Sequence, residues 1–195
     1  MARRSKGLTF YEKKKRVSKD MVREILVTIF YCFAAVLLAF VLVFLVGMKI
    51  SVIGVSMEPA LYNGQEIFIN RFIYKLFQPG RGDIIAFLPN GNQNSHYYLK
   101  RVVGLPGERI QIIGGYVYID GELLDEGDTY DKISDPGIAE NEVILGSDEY
   151  FVLGDNRNSS EDSRSGNIGP VKKETIAGKA WFHLSSEKEP MGFVD

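Results

Sequence analysis

Four short segments of the sequence combine reactive side chains with turn-forming glycine or proline. They are GVSMEPAL, RGDIIAF, YYLKRVVGLPGE and GDNRNSSEDSR, at residues 54–61, 81–87, 97–108 and 154–164. In the first segment, Ser56 follows a strand-like stretch and Pro59 restricts the backbone of the next turn, which can hold a hydroxyl at the rim of a cleft. An ordinary turn serine fits the same pattern, so this segment alone does not identify a nucleophile.

A nucleophilic serine requires a base that accepts its proton. The chain has two histidines, His96 in a polar stretch and His183 near the C-terminal end, which disfavours a Ser-His-Asp arrangement. A lysine that loses its charge through burial is the alternative base. Strand alternation places Lys100 on one face with Tyr98 and Val102. By itself, this stretch favours the alternative interpretation of a solvated strand lysine.

The segment 154–164 places two acidic and two basic residues among small polar ones, namely Asp155, Asp162, Arg157 and Arg164. This composition indicates a turn with internal charge pairs, and a solvated loop is the alternative.

An uncharged, mostly apolar stretch at residues 25–48 precedes these segments in the sequence. As a helix its 24 residues would extend ~36 Å, enough for a hydrocarbon core of ~30 Å. A cleavable signal peptide is the alternative, but its apolar region is usually ~7–15 residues long and ends at an Ala-x-Ala-like site. No such site occurs at residues 46–54. The sequence therefore predicts a retained transmembrane signal anchor at 25–48.

The charge of the chain is unevenly distributed along the sequence. Residues 1–24 hold nine of the 23 Lys and Arg and three of the 25 Asp and Glu, which leaves a net charge of −8 for the remainder. A basic head could bind nucleic acid, but next to a long apolar segment it is typical of the cytoplasmic flank of a membrane span. We therefore expect 1–24 to be cytoplasmic, 49–195 to be extracytoplasmic, and no nucleic acid to be bound.

Short β-like stretches separated by turns follow the apolar segment. Gly114-Gly115 and Asp120-Gly121 favour tight hairpins, and residues 125–142 are predicted to form an exposed acidic loop. Strands are predicted at 65–70, 83–87, 97–103, 109–113, 116–119, 149–153 and 176–183. The fold class is therefore an all-β catalytic domain with one N-terminal transmembrane α-helix.

Cysteine and histidine are too scarce for disulfide or zinc chemistry. Cys32 is the single cysteine and lies in the apolar segment, so no internal disulfide can form. With two histidines and no cysteine pair, we expect neither a metal nor a cofactor.

The four segments, in this order and after a membrane anchor, resemble the conserved boxes of the bacterial type I signal peptidases, peptidase family S26. The resemblance covers most of residues 25–183. It implies a membrane-bound serine endopeptidase that removes N-terminal signal peptides from exported preproteins through an acyl-enzyme. Lysine at position 100 matches the bacterial type, since the endoplasmic-reticulum type has histidine there.

The resemblance also implies roles for individual residues. Ser56 matches the nucleophile, Lys100 the general base, and Ser160 a serine whose hydroxyl bonds to that lysine. Asp162 and Arg164 match a supporting salt bridge, and Asp155 is expected to pair with Arg101. Shallow pockets that admit the small residues of an Ala-x-Ala site would be lined by Val52, Met57, Leu61, Tyr98 and Leu99.

Gly54 departs from the pattern of some members, which have a serine there that helps to bind the oxyanion. The oxyanion hole would then depend on the backbone N–H of Ser56 and a second donor that the sequence does not identify.

The implied partners are signal peptides, the lipid bilayer and, by proximity, the secretion translocon. Two other functions remain open at this stage. One is a Ser-Lys peptidase with a narrower task, such as processing of a pilin or conjugation protein. The other is a catalytically silent binding protein of the same fold, which the joint presence of Ser56, Lys100 and Ser160 disfavours.

Overall fold

The computed structural model describes residues 19–92, 94–186 and 188–194. It consists of two compact units, residues 1–43 and 44–195, and each is considered by itself. Most of the predicted cytoplasmic segment 1–24 lies outside the described residues.

The first helix, α1, spans Lys19–Val46 and carries Asp20 in its first turn, where a negative charge complements the helix dipole. Within its part at Lys19–Val41, an 18-residue window has a mean hydropathy of 2.4, and this part fits a single membrane span by length and composition. The helix begins six residues before the predicted span, because charged residues at its start are compatible with helical backbone although not with hydrocarbon. It also ends earlier, since Gly47 and Met48 belong to a strand.

The second unit is built almost entirely from strands, with one short helix, α2, at Ile73–Leu76. The strands are β1 Gly47–Ser51, β2 Glu66–Asn70, β3 Ile84–Phe87, β4 Tyr98–Gly104, β5 Arg109–Ile113, β6 Tyr116–Ile119, β7 Glu122–Leu123, β8 Val143–Ile144, β9 Glu149–Leu153, β10 Val171–Lys172, β11 Ile176–His183 and β12 Gly192–Phe193. The all-β fold class of this domain is therefore confirmed.

The strands form two antiparallel sheets. The larger sheet has the order β1-β2-β11-β3-β4-β9-β10, with β12 also paired to β11. Strand β11 pairs with β2 on one side and with β3 on the other, so it joins the N-terminal hairpin to the β3–β4 pair. The smaller sheet has the order β7-β6-β5-β8.

Three apolar clusters fill the interior around these sheets. One contains Leu61, Ile67 and Leu99. The second contains Ile110 and other residues of the smaller sheet together with Phe151 of β9. The third packs under β3, β4 and β9. Each buried aliphatic or aromatic side chain of this kind stabilises the fold by roughly 1.5–3 kcal/mol.

The hairpin predictions are confirmed, since Gly114-Gly115 joins β5 to β6 and Asp120-Gly121 joins β6 to β7. The seven predicted strands are present with bounds that differ by one residue at most. Four two-residue strands (β7, β8, β10 and β12), β1 and α2 were not predicted. The acidic stretch 125–142 is largely exposed as expected, but Ile133 and Ala139 anchor it in the second apolar cluster.

Candidate active site

Ser56 and Lys100 meet between two elements that are far apart in the sequence. Ser56 lies in the turn that links β1 to β2, and Lys100 is the third residue of β4. The Nζ of Lys100 donates a hydrogen bond to the Oγ of Ser56 at 2.8 Å and another to the backbone oxygen of Leu99 at 3.0 Å. An amine this close to a hydroxyl can accept its proton once the amine is neutral.

Lys100 is nearly removed from solvent, with 4 % of its surface exposed. Burial lowers the pKa of Lys100 from 10.5 to about 8, because desolvation disfavours the ammonium form. The carboxylates of Asp162, Glu161 and Asp155 act in the opposite direction, while the Arg164 guanidinium lowers the pKa further. A substantial fraction of Lys100 is therefore neutral at mildly alkaline pH.

Both predicted ion pairs are present, one between β4 and the loop 154–164 and the other within that loop. Arg101 contacts both carboxylate oxygens of Asp155 at 2.8 Å. Arg164 contacts both oxygens of Asp162 at 2.8 and 2.9 Å. These are bidentate pairs, which fix orientation more strongly than single contacts. All four groups are largely buried, so each charge depends on its partner.

This loop is joined directly to the turn that carries Ser56. The backbone N–H of Asn156 donates to the backbone oxygen of Ser56 at 3.0 Å. Gly154 permits the close approach, because a Cβ added there would lie 2.5 Å from the same oxygen and would overlap the Ser160 side chain. The N–H of Gly154 in turn donates to Asp162 at 3.0 Å, so the loop, its ion pair and the turn form one connected unit.

The predicted hydrogen bond between Ser160 and Lys100 is not present in the structure. The Oγ of Ser160 is buried and has no hydrogen-bond partner among the described residues. Its side chain instead lies against Gly154, because the tight loop directs it toward that backbone. Ser160 is therefore next to the Ser56 turn, and its action on Lys100 remains a prediction.

Ser56 and Lys100 open into a cleft of about 430 Å³. Four of the five predicted pocket residues line it, namely Val52, Met57, Tyr98 and Leu99. Leu61 does not line the cleft. It is fully buried in the first apolar cluster, because the turn after Pro59 directs it into the interior and not toward the opening.

The cleft lining also includes residues that were not predicted to lie there, which are Ile53, Val55, His96, Tyr97, Ser159 and Glu161. Ile53 and Val55 could have been predicted from their positions close to Ser56 in the sequence. Ser159 and Glu161 flank Ser160 inside the loop 154–164, and their residue types did not distinguish them from ordinary exposed loop residues.

The backbone of the turn bears on the oxyanion hole. Gly54 adopts φ +86°, a left-handed conformation that disfavours other residues, and its N–H donates to Asn63 at 2.9 Å. That N–H is therefore occupied. The N–H of Ser56 donates to no acceptor in the described part of the chain, so it is free to bind an oxyanion. The second donor is not evident.

In the described part of the chain, neither histidine is hydrogen-bonded to Ser56 or Lys100. His183 is buried in β11 and is bonded to Gln65 at 2.8 Å. His96 is exposed at the edge of the cleft and is not hydrogen-bonded to Ser56. Lys100 is thus the basic group within reach of the Ser56 hydroxyl.

Comparison with known proteins gives a consistent result. The family model for signal peptidase, peptidase S26, matches residues 23–184. Signal peptidase I P of Bacillus subtilis subsp. natto is 33 % identical over 179 residues, which cover 86 % of this chain and 91 % of that protein. Signal peptidase IB of Staphylococcus aureus (strain N315) is 30 % identical over 169 residues, covering 77 % and 86 % respectively.

Among solved structures, a signal peptidase I from Enterococcus faecalis V583 matches with 30 % identity and a TM-score of 0.40, covering 53 % of this chain and 97 % of that one. The family assignment depends on the family model and the sequence relatives, which span most of both chains. The chain belongs to the signal peptidase family, peptidase S26, as a peptidase of the signal peptidase I kind.

Proposed function

We propose that this chain is a membrane-bound serine endopeptidase that removes N-terminal signal peptides from exported preproteins, with Ser56 as nucleophile and Lys100 as general base. The observation that carries the proposal is the 2.8 Å contact between Lys100 Nζ and Ser56 Oγ, made by a lysine whose pKa burial lowers to about 8. Family membership supports signal-peptide removal, and the geometry supports the dyad.

In the first step, neutral Lys100 takes the proton of the Ser56 hydroxyl while the Oγ attacks the carbonyl carbon of the scissile peptide bond. Negative charge that develops on the carbonyl oxygen is stabilised by the free N–H of Ser56. The ammonium of Lys100 then gives its proton to the departing amine, and an ester to Ser56 remains. A water molecule, deprotonated by Lys100, hydrolyses this ester and restores both side chains.

The ion pairs around Lys100 have a positioning role in this proposal. Asp162 with Arg164 and Asp155 with Arg101 hold the loop 154–164 against the Ser56 turn. Ser160 contributes by packing in the same loop. Such support keeps the dyad within the narrow range of geometry that the reaction requires.

The cleft favours small side chains at the recognition positions. An extended peptide can bind along a strand edge, with alternate side chains directed into pockets. Val52, Met57 and Leu99 line the cleft and are almost fully buried, which leaves little depth for a large side chain. Cleavage after an Ala-x-Ala pattern follows, with Leu61 supporting the pocket from beneath.

The helix Lys19–Val46 is long and apolar enough for a membrane span, which supports the proposal that the enzyme is anchored in the same bilayer as its substrates. We infer that residues 1–24 are cytoplasmic and residues 49–195 extracytoplasmic, near the translocon, because the basic cluster precedes the span. External protease on intact spheroplasts should digest the large domain and spare the N-terminal segment. Digestion of the N-terminal segment alone would contradict this orientation.

The dyad is tested with detergent-solubilised enzyme and several unrelated preproteins. Ser56→Ala and Lys100→Met should each reduce cleavage by at least about a thousandfold, since each removes an essential group. Ser51→Ala and Lys172→Met, at exposed strand positions, are the matched controls and should retain cleavage. Near-normal turnover by either dyad variant would exclude the proposed mechanism. Cleavage of one preprotein only would favour the narrower processing function.

A further inference from the structure

The cleft that contains the dyad has a second charged side chain in its lining. Besides Lys100, the described lining residues include one carboxylate, Glu161, and the remainder are apolar, hydroxyl-bearing or, in the case of His96, imidazole. Glu161 is exposed, so a bound substrate can approach it directly.

The position of Glu161 is constrained on both sides. The next residue, Asp162, is fixed by Arg164 and by the N–H of Gly154, and the preceding Ser160 lies against Gly154. The Tyr98 hydroxyl is 3.5 Å from a carboxylate oxygen of Glu161, at the outer limit of a hydrogen bond. Since Tyr98 and Lys100 lie on the same strand and line the same cleft, this contact places the carboxylate at the substrate side.

Glu161 differs from its acidic neighbours because its charge is not compensated. Asp162 pairs with Arg164, and Asp155 pairs with Arg101. In the described part of the chain, no salt bridge involves Glu161. The working form of the proposed base is neutral. A bound substrate therefore meets the Glu161 carboxylate as a charge that no salt bridge among the described residues offsets.

We propose that Glu161 is a specificity-determining residue that favours substrates with lysine or arginine beside the scissile bond and disfavours substrates with aspartate or glutamate there. This inference rests on the proposed function. The pockets for small residues leave three nearby substrate positions free to carry charge: the middle residue of Ala-x-Ala and the two residues after the cleaved bond. At separations of several ångströms in a solvated cleft, one charge pair changes binding about three- to tenfold.

The experiment uses peptides with an Ala-x-Ala site and Lys, Gln or Glu at each of these three positions, assayed with the full chain at pH 9 and low salt. At one or more positions, we expect kcat/KM for the Lys peptide to exceed that for the Glu peptide by about tenfold. Glu161→Gln should bring this ratio close to one, and Glu161→Lys should invert it. Added salt of about 0.5 M should reduce the wild-type ratio because the charges are exposed.

Glu174→Gln is the matched control, since Glu174 is also an exposed glutamate but lies outside the cleft lining. It should retain the wild-type ratio. A second readout separates an electrostatic role from a structural one. The Glu161 carboxylate raises the pKa of Lys100, so Glu161→Gln should move the rising limb of the pH–rate profile toward lower pH while Asp162, Asp155 and Arg164 are unchanged.

A Lys-to-Glu ratio that is near one in the wild type, or that survives in Glu161→Gln and Glu161→Lys, would overturn this inference while leaving the dyad in place. Failure of wild-type enzyme to cleave any of the peptides would overturn the proposed function and this inference with it.

Discussion

The two sheets of the peptidase domain differ in what they bury. Around the larger sheet, Lys100, Asp155, Asp162 and Arg164 are all almost inaccessible to solvent. In the smaller sheet, no charged residue of the described strands β5–β8 is buried, and the cluster beneath it is aliphatic and aromatic. Burial of apolar groups stabilises a fold, whereas burial of charge costs free energy unless each charge is paired. Burial of these charged groups therefore costs free energy around the larger sheet, and the smaller sheet has no such cost in its described strands.

Asp162→Ala is expected to have the largest effect on stability. It leaves the Arg164 guanidinium buried without its carboxylate and removes the acceptor of the Gly154 N–H, which should cost about 3–5 kcal/mol of unfolding free energy. Urea denaturation of the detergent-solubilised enzyme would measure it, with exposed Asp128→Ala as the control. A loss similar to that of the control would mean that the pair does not hold the loop.

Lys100→Met should abolish activity but increase stability at pH 7. The folded-state pKa of Lys100 is about 8 against 10.5 for a free side chain, so the unfolded chain holds this proton more tightly. This difference destabilises the fold by about 3 kcal/mol below pH 8, at ~1.36 kcal/mol per pKa unit, and the cost disappears as pH rises to 10.5. The gain from Lys100→Met should therefore approach this size at pH 7 and shrink between pH 8 and 10.5.

The same pKa predicts the pH dependence of catalysis, so the two measurements can be compared. In the wild type, kcat/KM should rise about tenfold per pH unit below about 8 and level off above it, because the neutral amine is the active form. Lys100→Arg should be inactive throughout, since guanidinium stays protonated. A rising limb centred near pH 5, with Lys100→Arg still active, would show that another group is the base.

Ile110→Val is expected to have the smallest effect and to be confined to stability. Ile110 is fully buried in the cluster of the smaller sheet, and removal of one methylene typically costs about 1 kcal/mol. The midpoint of the pH–rate profile should stay at the wild-type value, because no charge near Lys100 changes. A shift of that midpoint would show that packing in the smaller sheet affects the pKa of Lys100 in the larger sheet.

The same contrast separates what the sequence could and could not predict. Glycine pairs such as Gly114-Gly115 define their hairpins locally, so β5, β6 and the turns that follow them could be predicted, whereas the two-residue strands β7 and β8 of the same sheet could not. The burial of Lys100 depends on groups from distant segments, and the strand alone favoured a solvated lysine. Family resemblance predicted the proximity of Ser56 to Lys100 and both ion pairs, but not the direction of the Ser160 hydroxyl or of Leu61. Those depend on the path of tight turns, which residue type does not specify.

The central position of β11 affects how the enzyme matures during its synthesis. The turn with Ser56 leads into β2, while Lys100 lies on β4 next to β3, and the larger sheet connects these two parts through Ile176–His183. A ribosome produces the residues of the dyad long before it produces this strand. Until this strand has been made and has paired with β2 and β3, the sheet that aligns Ser56 with Lys100 is incomplete. A nascent chain should therefore have no protease activity before β11 has been made.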